Sequence, residues 1–169
     1  MKRMKIVFAA LVVLGGIYAF TQKGSQYETL KIGSEAPMIE TEMQATSSNE
    51  MMSLNGLKGE NGTLVIFSCN TCPFVIAWED RYPLIAEIAK TNEIGFALVN
   101  SNEAKRQGDD SMEEMKAHAK NMGYSTIPYL VDKNSRLANA FGAKTTPHVF
   151  LFDADWKLVY EGAIDDNHK

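Results

Sequence analysis

Cysteine is scarce in this chain of 169 residues: it has two, Cys69 and Cys72. A pair so close in sequence closes a very small loop, which constrains the unfolded chain little, so a purely stapling role explains it poorly. Two cysteines also cannot complete a four-thiolate zinc site. The three histidines, His118, His148 and His168, are scattered without ligand spacing, so no resident metal or other cofactor is expected. Acidic residues are missing from the first 23 positions, where Lys2, Arg3, Lys5 and Lys23 give a charge of +4. The remainder carries 21 acidic and 13 basic residues. An acidic body argues against nucleic-acid binding, which needs basic surface to neutralise phosphates. No uninterrupted apolar run reaches the length of about 20 residues that a full membrane span needs. Internal repeats are absent.

What is present reads as one globular domain behind a short leader. Apolar residues make up 45% of the chain and charged residues 22%. Met1 to Lys5 is basic, and Ile6 to Phe20 is a run of 15 apolar, tyrosine or glycine residues. This resembles the basic and hydrophobic regions of a secretory signal. Gly15-Gly16 weakens a helix there, and Ala19-Phe20-Thr21 fits a small-x-small cleavage rule only loosely. Residues 1–23 are therefore expected to be a signal peptide or an N-terminal membrane anchor, with residues 6–20 as the tether. Both readings keep the basic end inside and carry the domain, residues 24–169, across the membrane. The protein is thus expected to be extracytoplasmic: periplasmic or in the cell envelope, secreted or anchored. No cysteine follows the run, which argues against a lipid-modified N-terminal cysteine.

Met38 to Met43 alternates apolar with polar, which predicts a half-buried strand. Gln44 to Glu50 reads as a turn and Met51 to Leu54 as a returning strand, making a hairpin. Asn55 to Gly62, rich in glycine and asparagine, reads as a loop. Thr63 to Phe67 is a continuous β-rich run, as expected of a central strand buried on both faces. A helix follows from Pro73 to Lys90, with a kink near Pro83. Ile94 to Asn100 is a second buried strand. Ser111 with Glu114 fits a capping box for a helix over 112–121 that stops at Gly123. Pro128 to Asp132 is a short strand, and Arg136 to Phe141 a short helix stopped by Gly142. His148 to Phe152 and Lys157 to Glu161 form a final hairpin. Alternating strands and helices favour a layered α/β fold.

A C-x-x-C pair where a buried strand passes into a helix has a physical use. Unpaired N–H groups at a helix start stabilise a thiolate, and the thiolate is the attacking species in disulfide exchange. Placed just before the helix start, Cys69 is expected to be the acidic nucleophile, and Cys72, one turn along, the resolving thiol. Farther on, Lys144-Thr145-Thr146-Pro147-His148 precedes the apolar run Val149 to Phe152. A proline just before a core strand cannot donate to the ladder, and a cis peptide in a tight turn is one explanation.

These residues resemble the thioredoxin-like redoxins of the AhpC/TSA type over roughly Leu30 to Asn167. The matching pieces are IGSEAP at the entry, FSCNTCPF at the cysteines, GAKTTPHVFLFD at the proline and LVYEGAIDD at the last strand. The resemblance implies a thioredoxin fold, a central mixed β-sheet flanked by helices, to which the pattern of this sequence adds an N-terminal β-hairpin extension and no C-terminal helix. It implies a thiol–disulfide oxidoreductase whose redox-active disulfide is Cys69–Cys72. It implies that Pro147 is cis and that the Thr146 backbone pairs with an incoming peptide, as in strand addition. The partners would be protein dithiols or disulfides and a thiol electron donor or acceptor.

The chain departs from the family's pattern in several places. Ser68 stands where a tryptophan is common, and Thr63 where many relatives carry a buried acid. Proton transfer would then rest on water or on Glu79 or Asp80, which otherwise read as a solvated helix face. The sequence given ends eight residues past Glu161, so the usual closing helix is either missing or lies beyond a truncation; with it missing, one sheet face is expected to be under-covered and open to a partner or membrane. Two other functions compete. A peroxidase of the AhpC/TSA type resembles P-x-x-x-[TS]-x-x-C, but the position three before Cys69 is Ile66 and three before Cys72 is Cys69. A copper-handling chaperone would use both cysteines with His148, since thiolate and imidazole suit copper.

Overall fold

The computed structural model describes residues 27–166. The expected signal peptide or anchor, residues 1–23, lies outside them. Among the described residues no helix is long and apolar enough to cross a membrane.

Seven strands form one mixed sheet: β1 (Met43–Ala45), β2 (Met51–Met52), β3 (Thr63–Ser68), β4 (Gly95–Asn100), β5 (Tyr129–Val131), β6 (His148–Phe152) and β7 (Leu158–Gly162). Their order across the sheet is β2-β1-β5-β4-β3-β6-β7. Strands β3, β4 and β5 run parallel, as helical crossovers require. The outer strands β6, β7, β1 and β2 join antiparallel. The thioredoxin fold, with its mixed sheet and N-terminal β1–β2 hairpin, is therefore as the sequence led us to expect.

Successive side chains of a strand point to opposite faces, and the core divides accordingly. Val65 and Phe67 of β3, Ala97 and Val99 of β4, and Phe150 and Phe152 of β6 pack on one face. Ile66, Phe96, Leu98, Tyr129 and Val149 pack on the other. Helix α4 (Arg136–Phe141) and the segment from Leu30 to Ile39 cover the first face. Edge-on aromatic contacts lock it, with Phe141 at 5.4 Å from Phe67 and 5.2 Å from Phe150. The second face is covered by α2 (Tyr82–Thr91) through Tyr82 and Ala89, and by α3 (Met112–Asn121) through Met115 and Ala119. Ser111 caps α3, its hydroxyl accepting the Glu114 N–H at 3.3 Å. Gly142 ends α4 at φ 64°.

Two sequence expectations need correction. The strand expected over Met38–Met43 begins only at Met43. Met38 takes φ 59° and its carbonyl accepts the Thr41 N–H at 3.0 Å, so this stretch is a turn. Its apolar residues Met38 and Ile39 pack onto the core without joining a ladder. The single helix expected over 73–90 is two. Helix α1 (Pro73–Trp78) stops at Trp78, where φ −130° and ψ −8° leave the helical region, and a 3-10 turn spans Glu79–Arg81. Pro83 causes no kink. It lies in the first turn of α2, where its missing N–H costs nothing. Beyond β7, residues 163 to 166 are not helical, and Val159 and Tyr160 of β7 stay exposed.

Candidate functional site

Parallel strands β3 and β4 end side by side, with Ser68 opposite Asn100. The loops leaving them meet above the carboxyl end of the sheet, where open α/β sheets place their sites. Cys69 follows β3 directly and is buried at 5% exposure, while Cys72 is half-buried. Both thiols are free. The helix does not begin at Cys69. Its N-cap is Cys72, and Pro73 opens the first turn of α1.

Thr146 joins the two sulfurs to the proline loop. Its hydroxyl lies 3.4 Å from Cys69 Sγ, and its carbonyl oxygen accepts from Cys72 Sγ at 3.1 Å. The Thr146–Pro147 bond is cis. Cys69, Cys72, Thr146 and Pro147 are thus brought together from segments about 75 positions apart in the sequence. Two clefts flank Thr146. One, of about 500 Å³, is walled by Cys69, Cys72, Asn102, Lys144 and Thr145. The other, of about 440 Å³, is more apolar and is walled by Phe74, Trp78, Pro147, His148 and Ala163.

The environment treats the two thiols oppositely. Burial pushes the Cys69 thiol up, and the charges of Cys72 and Asp110 add to this; hydrogen bonds from Thr146 and the Cys72 backbone oppose it without overcoming it. Partial burial also works against ionisation of Cys72. There the Thr146 hydroxyl, the N–H groups of Val75 and Phe74, and Cys69 outweigh it, and the thiol is lowered. The helix-start environment expected at Cys69 is therefore found at Cys72. The physical reason is position: Cys69 still belongs to the buried strand end, and only Cys72 reaches the helix N–H groups.

Sequence reasoning missed the polar network that holds this turn. Asp110, fully buried, accepts the Asn70 N–H at 2.8 Å and the Asn100 Nδ2 at 2.6 Å on Oδ1, and the Asn102 Nδ2 at 2.7 Å on Oδ2. The Asn70 side chain donates to the Asp109 carbonyl at 2.6 Å and accepts from Tyr129 Oη at 3.1 Å. Arg106 donates to the Asn100 and Asp110 carbonyls, both at 2.8 Å. The only signal for this in the sequence is the density of Asn, Asp and Arg over 100–110, which as a sequence reads as a polar loop.

Glu79 also departs from expectation. It is 1% exposed rather than on a solvated face, and it binds His118 Nε2 at 2.6 Å and Tyr124 Oη at 3.3 Å. Asp80 is exposed. Thr63 is buried, and its hydroxyl has no hydrogen-bond partner. His148 is engaged away from the sulfurs: Nδ1 accepts the Lys144 N–H at 3.2 Å and Nε2 meets Glu161 at 2.5 Å.

The Redoxin family matches residues 31–169 of the chain. Among solved structures, an uncharacterized conserved protein from Geobacillus kaustophilus is 32% identical with a TM-score of 0.76, over 83% of this chain and 72% of that one. A hypothetical protein from Sinorhizobium meliloti 1021 is 29% identical with a TM-score of 0.72, over 83% and 74% respectively. The thioredoxin domain of a thiol-disulfide oxidoreductase from Bacteroides vulgatus shares the fold at 20% identity and a TM-score of 0.64, over 80% and 90%. No curated protein matches the chain.

Proposed function

The chain belongs to the Redoxin family, and from that premise we propose that it is a thiol–disulfide oxidoreductase acting on protein disulfides through Cys69 and Cys72. The observation that carries the reading is the contact of both sulfurs with one residue, Thr146, at 3.4 and 3.1 Å. A thiol held there faces whatever lies along the Thr146 backbone. An extended peptide pairing with that backbone would bring its own disulfide onto the pair, and the apolar cleft beside Phe74 and Pro147 would take its side chains. The basic, then apolar, leader argues that this exchange takes place outside the cytoplasm. A reductant delivering two electrons to envelope or secreted proteins is the direction we favour.

The test is reduction of insulin with dithiothreitol as electron source. Wild-type protein accelerates it, and Cys69→Ser and Cys72→Ser each return the rate to the uncatalysed background. A wild-type rate equal to background would overturn the reading. The redox potential then fixes the direction: a value near about −270 mV identifies a reductant and one near about −120 mV an oxidant.

A further inference from the structure

Resting on that dithiol reading, we propose that His148 is a positioning residue: its Nδ1 holds the loop of Lys144, Thr145 and Thr146 in the place where an incoming peptide pairs with it.

This loop lacks other anchors. It joins the end of α4 to the start of β6. Just before it, the Ala143 N–H is still bonded to α4, through the Ala138 carbonyl at 2.9 Å. Within it, the N–H groups of Thr145 and Thr146 have no hydrogen-bond partner among the described residues. Unpaired backbone of this kind is what a partner strand takes up. A loose edge, however, must be ordered at the moment of binding, and that ordering costs affinity. Of the three loop N–H groups only that of Lys144 is held, by His148 Nδ1 at 3.2 Å.

His148 suits the task because its surroundings fix the imidazole. It opens β6 and lies opposite Phe67, near the end of β3 that leads into Cys69. It is buried, and its ring rests against Phe150 with the centroids 4.5 Å apart. A carboxylate oxygen of Glu161, in β7, lies 2.5 Å from Nε2. The tautomer is assigned from these partners. A backbone N–H can only donate, so Nδ1 is the bare acceptor, and Nε2 carries the proton that goes to Glu161. With Nε2 tied to β7, Nδ1 presents a fixed point to the loop. Thr146 lies midway between Lys144 and His148 in the chain, and its hydroxyl and carbonyl meet the two sulfurs. The Lys144–His148 bond thus closes a short span of chain around Thr146 and sets where its free N–H lies relative to Cys69 and Cys72.

Two substitutions separate the two nitrogens. His148→Asn puts an amide oxygen near the Nδ1 position, so it keeps an acceptor for Lys144 and loses the bond to Glu161. His148→Gln reaches the Nε2 position, so it keeps a donor for Glu161 and leaves the Lys144 N–H bare. In insulin reduction driven by dithiothreitol, His148→Gln is expected to raise the KM for insulin about 5-fold, the scale of one lost hydrogen bond, with a smaller fall in kcat. His148→Asn is expected to bring the KM back to within about 2-fold of wild type. For hydroxyethyl disulfide, which has no backbone to pair, His148→Gln is expected to lose less activity than it does on insulin. Equal KM increases in the two variants, an unchanged KM in His148→Gln, or equal losses on the two disulfides each overturn the role.

The anchor is also read in wild-type protein, with no substitution that could prevent folding. Long-range proton–nitrogen correlation spectra at neutral pH are expected to show His148 protonated on Nε2 and bare on Nδ1. The Lys144 amide is expected to exchange with deuterium more slowly than those of Thr145 and Thr146. A proton on Nδ1, or Lys144 exchange as fast as that of its neighbours, overturns the proposal while leaving the dithiol reaction standing. Background-level insulin reduction by wild type instead overturns the dithiol reading, and the role of His148 in peptide pairing with it.

Discussion

Glu79 shows how one residue's role depends on a break in the chain. In an uninterrupted helix over 73–90 it would share a face with solvated acids. The departure at Trp78 turns it inward, onto His118 and Tyr124. A buried carboxylate is tolerated only when its oxygens are bonded. Glu79→Gln keeps the shape but loses the charge-assisted bond, and we expect urea unfolding to show a loss of about 1–3 kcal/mol. A change below about 0.5 kcal/mol, the level of an ordinary surface substitution, would mean that the pairing contributes nothing. The sequence does name Glu79 as a nearby acid. What it does not carry is the direction of the side chain, because the helix break has no proline at the break itself.

Helix α4 shows a similar division at the scale of an element. Its limits, Arg136 and Phe141, and its terminating Gly142 are legible from an apolar stripe followed by a glycine. The reason no other residue serves there is not. Gly142 has φ 64°, and a Cβ at that position would lie 2.0 Å from the Glu28 carbonyl oxygen. The N-terminal segment is tied on at this point, through Leu30 N–H to the Phe141 carbonyl at 3.0 Å and the Thr29 hydroxyl to the Gly142 carbonyl at 2.9 Å. Gly123, after α3, has φ 77° and open space around it. Gly123→Ala should therefore cost only the left-handed backbone term, about 1–2 kcal/mol. Gly142→Ala should cost clearly more, because backbone must also move. Thermal melts of the two variants separate the contributions, and equal losses would show that the close approach to Glu28 is not needed.

Across the whole molecule, the face of the sheet beneath the cysteines is built on three buried tyrosines, Tyr82, Tyr124 and Tyr129. Burial, first among the causes, raises all three phenols above the ordinary value of 10.0. The folded protein thus holds these protons more tightly than the unfolded chain does. Their contribution to stability is complete below pH 10 and declines as pH rises beyond it, where only the unfolded state ionises. Alkaline titration followed by phenolate absorbance and circular dichroism should show these tyrosines ionising together with unfolding, not ahead of it. Ionisation with the secondary structure intact would contradict their burial. The sequence by itself determined the order of strands and helices, the mixed sheet, the hairpin, the α3 cap and the meeting of Cys69 and Cys72 with Thr146 and Pro147. These follow from periodicity, turn chemistry and short motifs, which are local or shared with the family. Only the tertiary structure decided which thiol is the more open, where Glu79 points, and that Asp110 holds the turn. Burial and electrostatic environment are sums over neighbours distant in the chain, so no local pattern of residues contains them.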